Sequence, residues 1–304
     1  MFAFLEKQSF LVILLVSGIT LIVLSIFDVA DISKLQVAPR SRVLWIPFSI
    51  GGTLVLSSLF FYTQDRLTLG WFKSAAIRKI DGDLRATCSR SRISISFGKI
   101  QEVAAAIPGC MVVLPANEYF DDECIFDSKS ALGAYVQSVF PNQAAEIQQL
   151  IQTKLISFES QDVEKETGLT QKSFGIGRGV FLKEPLQSKQ PVLFISVTTK
   201  RAGEGLRAEM SHIFDAVSEI QKVAADHRMD SVCVPVMGTG HGGLQKEVGL
   251  FALVLAICDG VSKPVGHHIK EYHIVVYQSA PAERPSISER DARRILKTAI
   301  GLFS

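Results

Sequence analysis

Val234-Pro-Val-Met-Gly-Thr-Gly-His-Gly-Gly-Leu244 is the stretch that settles how this chain reads. Apolar residues at 231–236 lead into it as a buried strand does, and a long apolar helical run, 247–258, follows it. Glycines between a strand and a helix let backbone N–H groups face an anion, and the helix N-terminus adds a favourable dipole. Open α/β sheets bind ligands at the carboxyl ends of their strands. A phosphate or diphosphate is therefore expected against Gly238, Thr239, Gly240, His241, Gly242, Gly243 and Leu244. The alternative is a tight turn without a ligand. No Gly-Lys-Ser/Thr follows, so the stretch is not a Walker loop. The dinucleotide fingerprint belongs on an early strand–helix turn, which this is not.

On both sides the chain alternates strands and helices. Strands are expected at 93–97, 110–114, 179–182, 192–197, 231–236 and 272–277. Helices are expected at 103–106, 130–140, 144–155, 206–226, 247–258 and 288–303, the last started by Ser288-x-x-Asp291, a near-capping box. This alternation predicts a mostly parallel, three-layer α/β fold. Two further loops fall at strand ends. Val113-Leu-Pro-Ala-Asn-Glu-Tyr-Phe-Asp-Asp122 offers Asn117, Phe120, Asp121 and Asp122, of which Asn117 and the two acids suit a ribose. A solvated turn explains the same residues through their backbone tolerance. Thr198-Thr-Lys-Arg-Ala-Gly-Glu-Gly205 offers the Thr198 hydroxyl and two cations.

The 304 residues carry a net charge of +2 and are 47% hydrophobic and 20% charged. Length alone suggests about two domains. The near-neutral balance gives no electrostatic case for nucleic acid. Cys88, Cys110, Cys124, Cys233 and Cys258 are scattered without C-x-x-C spacing. That argues against a disulfide framework and a zinc site and fits a reducing compartment.

Two uncharged apolar runs, 8–27 and 43–64, reach the roughly 20 residues a helix needs to span a bilayer. They predict two transmembrane helices. The first lacks the cleavage site of a signal peptide. Basic residues after the second run outnumber those in the loop 28–42, which places the large domain in the cytosol. Ser49, Thr53 and Ser57, beside Gly51 and Gly52, form a small-residue stripe suited either to packing within the chain or to self-association. The organisation expected is a transmembrane region at 1–66, a juxtamembrane linker at 67–92 with a turn at Asp81-Gly82-Asp83, and a ligand-binding domain at 93–304.

Gly98-Lys-Ile100, Ala116-Asn117 and Gly238-Thr-Gly-His-Gly-Gly243 together resemble a macro domain, the module that binds ADP-ribose, over about residues 93–280. They stand where that family has Gly-Asp-Ile, the Asn-Ala-Ala-Asn turn and the loop that wraps the diphosphate. The resemblance implies that Asn117, the region 173–179 and the loop 238–244 surround one cleft. Lys99 replaces the acid that usually holds the adenine amine, and His241 takes an apolar position of the usual loop. The Gly-Gly-Gly-Val stretch of the hydrolase members is missing after Asn117.

With two apolar runs ahead of it and an Asn-Glu-Tyr-Phe-Asp turn, the chain resembles the membrane–macro effectors of type II Thoeris anti-phage systems. That resemblance implies a TIR-domain partner that converts NAD into a histidine–ADP-ribose conjugate. The conjugate binds the macro domain, and a homo-oligomer disrupts the lipid bilayer of the bacterial inner membrane. It implies an ADP-ribose derivative as ligand, with no catalytic residue and no metal. Asp121 and Asp122 then suit a cationic head group, because charge-assisted hydrogen bonds are the stronger kind. The competing readings are an ADP-ribosyl hydrolase, in which Asp121, Asp122 or His241 would orient water, and a passive reader of ADP-ribosylated proteins.

Overall fold

A computed structural model describes residues 27–31, 36–39, 76–188, 190–263 and 268–303, together with Ser17, Ile19, Ile50, Thr53 and Val55. The chain divides into two compact units, Met1–Lys73 and Ser74–Ser304. In the first, β1 (Phe27–Asp31) pairs antiparallel with β2 (Gln36–Pro39), Val29 standing opposite Val37. The apolar runs 8–27 and 43–64 and the small-residue stripe lie outside the described residues, apart from Phe27 and the single positions just named.

Among the described residues no helix is long and apolar enough to cross a membrane. This overturns the placement of the chain as a two-span protein of the bacterial inner membrane with a cytosolic domain. Phe27, read as the end of a spanning helix, begins a strand. The stretch 28–42, read as the loop between spans, carries most of this strand pair.

The second unit opens with β3 (Arg78–Ile80), β4 (Asp83–Cys88) and β5 (Ser91–Gly98). Then come α1 (Ile100–Ala105), β6 (Met111–Asn117), α2 (Glu123–Phe126), α3 (Ala131–Val139) and α4 (Ala144–Leu155). A charged hairpin follows, β7 (Gln161–Glu166) and β8 (Leu169–Ser173), then β9 (Gly179–Leu182) and β10 (Val192–Thr198). The last elements are α5 (Met210–Asp226), β11 (Ser231–Pro235), α6 (Lys246–Val261), β12 (Glu271–Tyr277) and α7 (Glu289–Gly301).

Eight strands form one sheet in the order β3-β4-β5-β12-β11-β6-β10-β9. Strands β5, β12, β11, β6 and β10 run parallel; β4 at one side and β9 at the other run against them, and β3 pairs antiparallel with β4 at the edge. Both faces are covered. Met111 and Val113 pack with α5, α6 and α7, whereas Val112 and Leu114 pack with α1, α3 and α4. A strand buried on two faces reads as an unbroken apolar run, which is why 110–114 is so plain in the sequence. The three-layer α/β expectation holds.

The stretch 67–92 is not simply a linker, because β3 and β4 extend the sheet from 78 onward. Leu84, Ala86 and Cys88 are buried and alternate with charged or polar neighbours. The expected turn is there, with φ of 54° at Asp81 and 90° at Gly82. Helix α5 starts at Met210 rather than 206, because Arg207 and Thr199 exchange backbone hydrogen bonds of 2.8 and 2.9 Å. At α7 the Ser288 Oγ accepts the Asp291 N–H at 3.1 Å, as the capping pattern predicts.

Candidate functional site

All five parallel strands end at one cavity of about 710 Å³. Its wall takes Gly98 from the end of β5, Pro115 and Ala116 from β6, Thr198 from β10, Pro235 from β11 and Tyr277 from β12. Neighbouring parallel strands converge there through their carboxyl ends, where loops are free to diverge and leave a crevice.

The glycine loop forms one wall through Gly238, Thr239, Gly240, His241 and Gly242. Each glycine has its own task. Gly238 has φ +75°, and a Cβ there would stand 2.9 Å from both the Ala208 Cβ and the Leu244 Cδ1. A Cβ on Gly242 would stand 2.8 Å from the Ala208 Cβ and from the Gly238 carbonyl oxygen. Those two glycines are packing requirements. Gly240 has nothing within 4 Å of a built Cβ. The loop closes on itself: Gly243 N–H donates to Gly240 O at 3.2 Å, and Leu244 N–H to Gly238 O at 3.1 Å. Among the described residues the N–H groups of Thr239, Gly240, His241 and Gly242 find no acceptor in the chain. Four successive backbone donors left free on a loop that lines a cavity are what an anion-binding concavity is built from.

Gly243 and Leu244, expected at the ligand, do not line the cavity. Their backbone N–H groups are spent closing the turn, and Leu244 packs against the core below. His241 is about half exposed, with its Nε2 3.3 Å from the Asp127 Oδ2. That contact brings the segment 127–130 against the glycine loop at the mouth, where Ser128, Lys129 and Ser130 also line the wall.

The structure does not bring Asn117, Phe120, Asp121 or Asp122 to the cavity wall. Asn117 is fully buried; its Nδ2 donates to Asp121 Oδ1 at 2.9 Å, and its Oδ1 accepts the Tyr119 N–H at 3.1 Å. Phe120, at φ +48°, packs edge-on against Phe174, and its carbonyl accepts from the side-chain amides of Gln148 and Gln152. Asp121 is held by Lys165, Nζ to Oδ2 2.6 Å, and Lys165 also reaches Glu123 at 2.8 Å. Asp122 is exposed at the start of α2 and caps nothing with its side chain. The expected ribose and head-group partners are thus committed within the protein or face solvent. No residue of the region 173–179 lines the cavity; Phe174 N–H donates to Glu118 O at 2.9 Å, and Gly177 N–H to Ser196 O at 3.0 Å.

Two residues with unassigned roles in the sequence organise this back layer. Glu118 is buried and accepts from Arg201, Ser173 Oγ and Thr199 Oγ1. Burial pushes its carboxyl up, but the hydrogen bonds from Arg201, Ser173 and Thr199 outweigh that and hold it below the usual carboxylate range. Lys165 is buried too; burial lowers its ammonium, and the hydrogen bonds to Asp121 and Glu123 more than restore it. On the wall, burial and the nearby Asp121 carboxylate push the Cys124 thiol up to about 11, so it stays a thiol rather than a nucleophile. Lys165 sits on a charged hairpin whose sequence gives no sign of a buried partner. Lys129 and Lys246 on the wall were equally unmarked, though Lys246 directly follows the glycine loop.

A mostly parallel α/β sheet with a cavity at its strand ends, walled by a strand–glycine loop–helix turn, is the arrangement expected of a macro domain. The family profile described as "Thoeris protein ThsA, Macro domain" matches residues 93–277, and the chain belongs to that family. Among solved structures it is similar to an Oceanobacillus iheyensis macrodomain with ADP, at 11% identity over 71% of this chain and 94% of that one, with a TM-score of 0.47. It is similar to a Trypanosoma brucei macrodomain in complex with ADP-ribose, at 11% identity over 68% of each chain and a TM-score of 0.44. It is also similar to the macrodomain of Thermus aquaticus DarG, at 14% identity over 61% of this chain and 99% of that one, with a TM-score of 0.39. No curated protein sequence matches it.

Proposed function

We propose that the cavity binds the diphosphate of an ADP-ribose derivative and that the chain is the sensing component of an anti-phage defence system. The observation that carries this reading is the run of four N–H groups, Thr239 to Gly242, without acceptors among the described residues and on a loop that lines the cavity. Membership of the Thoeris macro family supports the defence role. A volume of about 710 Å³ lies within the range of small-molecule sites. The ligand is a histidine–ADP-ribose conjugate made from NAD by a TIR-domain enzyme, and its binding promotes association between copies of the chain. The energetic requirement is differential affinity: a ligand shifts a two-state protein only by binding one state better. Moving a population from about 1% to about 99% takes roughly 10⁴-fold discrimination. A loop with four unsatisfied donors supplies part of it, since closing around an anion satisfies them.

Calorimetric titration of the full chain with ADP-ribose and with the conjugate, followed by chromatographic analysis of the recovered ligand, tests the reading. Binding with the ligand recovered intact supports a sensor. Absence of binding by both ligands removes it.

One observation favours a second reading, a hydrolase. His241 at the mouth has a carboxylate, Asp127, at 3.3 Å, the arrangement of a base with its orienting acid. Release of free histidine or ADP-ribose that stops in His241→Gln would select the enzyme over the sensor.

A further inference from the structure

The charges around the cavity are one-sided. Lys99, Lys129 and Lys246 line it, and among the described residues no Asp or Glu does. Two acids reach wall groups from outside. Glu102 holds Lys99 at 3.3 Å, and Asp127 holds His241 at 3.3 Å. Asp127 is fully engaged, because its other oxygen accepts the Lys129 backbone N–H at 2.9 Å. Among the described residues the Lys129 and Lys246 ammonium groups have no acidic partner. They flank His241, one on the segment that Asp127 ties to it and the other five residues further along the chain.

The four free N–H groups account for a diphosphate by themselves. They do not account for two additional unpaired cations on the same wall. A cleft lined by one sign of charge concentrates field and raises the local level of counter-charged ligand. An ammonium opposite a carboxylate or phosphate makes a charge-assisted hydrogen bond, about twice as strong as a neutral one. The acidic pair expected to receive a cationic head group lies elsewhere, with Asp121 under Lys165 and Asp122 in solvent.

We propose that the ligand of this cavity carries a second anionic group beyond its diphosphate, a carboxylate or a phosphate at the distal end, and that Lys129 and Lys246 receive it. This rests on the diphosphate reading above and names the class of ligand more narrowly. The specificity of the site is then for an acidic extension of ADP-ribose. An amine or imidazole on the same extension contributes little, because no carboxylate on the wall faces it.

The test uses the purified full chain and four probes: ADP-ribose, ADP-ribose 1″-phosphate, a histidine–ADP-ribose conjugate, and the same conjugate with its carboxylate converted to a carboxamide. The conjugate is expected to bind at least tenfold tighter than its carboxamide at moderate salt. Lys129→Gln or Lys246→Gln should reduce that ratio below threefold while leaving ADP-ribose affinity within threefold. If the phosphate probe alone outbinds ADP-ribose, with the same dependence on the lysines, the second anion is a phosphate. Equal affinity for all four probes overturns the proposal and leaves the diphosphate site standing. A tenfold preference that survives in both lysine variants overturns the assignment to these residues. No binding by any probe removes the diphosphate reading and this proposal with it.

Discussion

The glycine loop at Gly238–Gly243 and the turn at Asn117–Asp122 occupy equivalent places, each at the carboxyl end of a parallel strand. Both are rich in groups that bind nucleotides. Only the first retains free capacity. Its N–H groups from Thr239 to Gly242 have no acceptor among the described residues and belong to a loop that lines the cavity, whereas Asn117, Asp121 and Glu118 have their partners inside the protein. What distinguishes a binding segment from a structural one is therefore unspent hydrogen-bonding capacity on a concave wall. Residue type at a strand end does not decide it, since a carboxylate already paired with a buried lysine gains nothing from a ligand.

The largest expected effect breaks the structural side of this pair. Lys165→Met would leave the nearly buried Asp121 carboxylate without its cation, the side chains of the two being 4% and 8% exposed. Removing one member of a buried ion pair costs about 3–5 kcal/mol. Denaturant unfolding should register a loss of that size. The affinity for ADP-ribose of the protein still folded should stay within twofold. A variant that unfolds like the parent but binds tenfold more weakly would move Lys165 and Asp121 into the site.

On the other side, Gly240→Asp puts a negative charge among the free N–H groups at the one loop glycine whose Cβ direction is open. Stability should change by less than about 0.5 kcal/mol, as at an ordinary surface position. ADP-ribose affinity should fall at least 100-fold, about 2.8 kcal/mol. Gly242→Ala makes the contrast within the loop. Its methyl would stand 2.8 Å from two neighbours, so overpacking should cost about 1–3 kcal/mol of stability. Unchanged affinity in Gly240→Asp would detach the loop from ligand binding.

The fold was largely legible because its core strands are buried on both faces and its helices keep a clean period. The element at Ala144–Leu155 follows directly from the spacing of Ile147, Ile151 and Leu155, all buried. The glycine loop was legible for a local reason: a strand, a dense glycine run and a helix are contiguous in sequence. What stayed hidden depends on distant pairing. Hairpin β7–β8 reads as a charged surface stretch, and nothing local reveals that Lys165 is buried against Asp121, 44 residues away. For the same reason the acids at 121 and 122 looked available. At β4 the alternation of Leu84, Ala86 and Cys88 was present but masked by the short strand and by Arg85 and Thr87 between them. Lys129 and Lys246 come from segments far apart in sequence, so their common cavity exists only after folding.

Asp121→Asn sharpens the comparison at a smaller scale. Had Asp121 received a ligand's cationic head group, the substitution would weaken the histidine conjugate more than plain ADP-ribose. Because its carboxylate instead holds Lys165, the expected result is a stability loss of about 1–3 kcal/mol. The two ligands should shift together, by less than threefold. A selective loss for the conjugate would return Asp121 to the ligand.

The smallest expected effect is the pH dependence of the back layer. Burial raises the Glu118 carboxyl, yet Arg201, Ser173 and Thr199 together hold it below its ordinary value of 4.5. A carboxyl whose folded value lies below its unfolded value binds protons more readily when unfolded, so stability rises with pH through that interval. Its contribution is fully present above the unfolded value and is lost as pH falls through the folded one. Glu118→Gln keeps the shape and an acceptor for the two hydroxyls but removes the charge facing Arg201. At neutral pH it should cost about 1 kcal/mol, modest because the Arg201 side chain is 44% exposed and its ion pair is screened. The gap between the parent and this variant should narrow as pH falls below the ordinary value of 4.5 and on through the lowered folded value. Urea unfolding at a series of pH values measures it. A gap that stays constant from neutral to strongly acidic pH would mean that the buried charge of Glu118 does not hold this layer to the sheet.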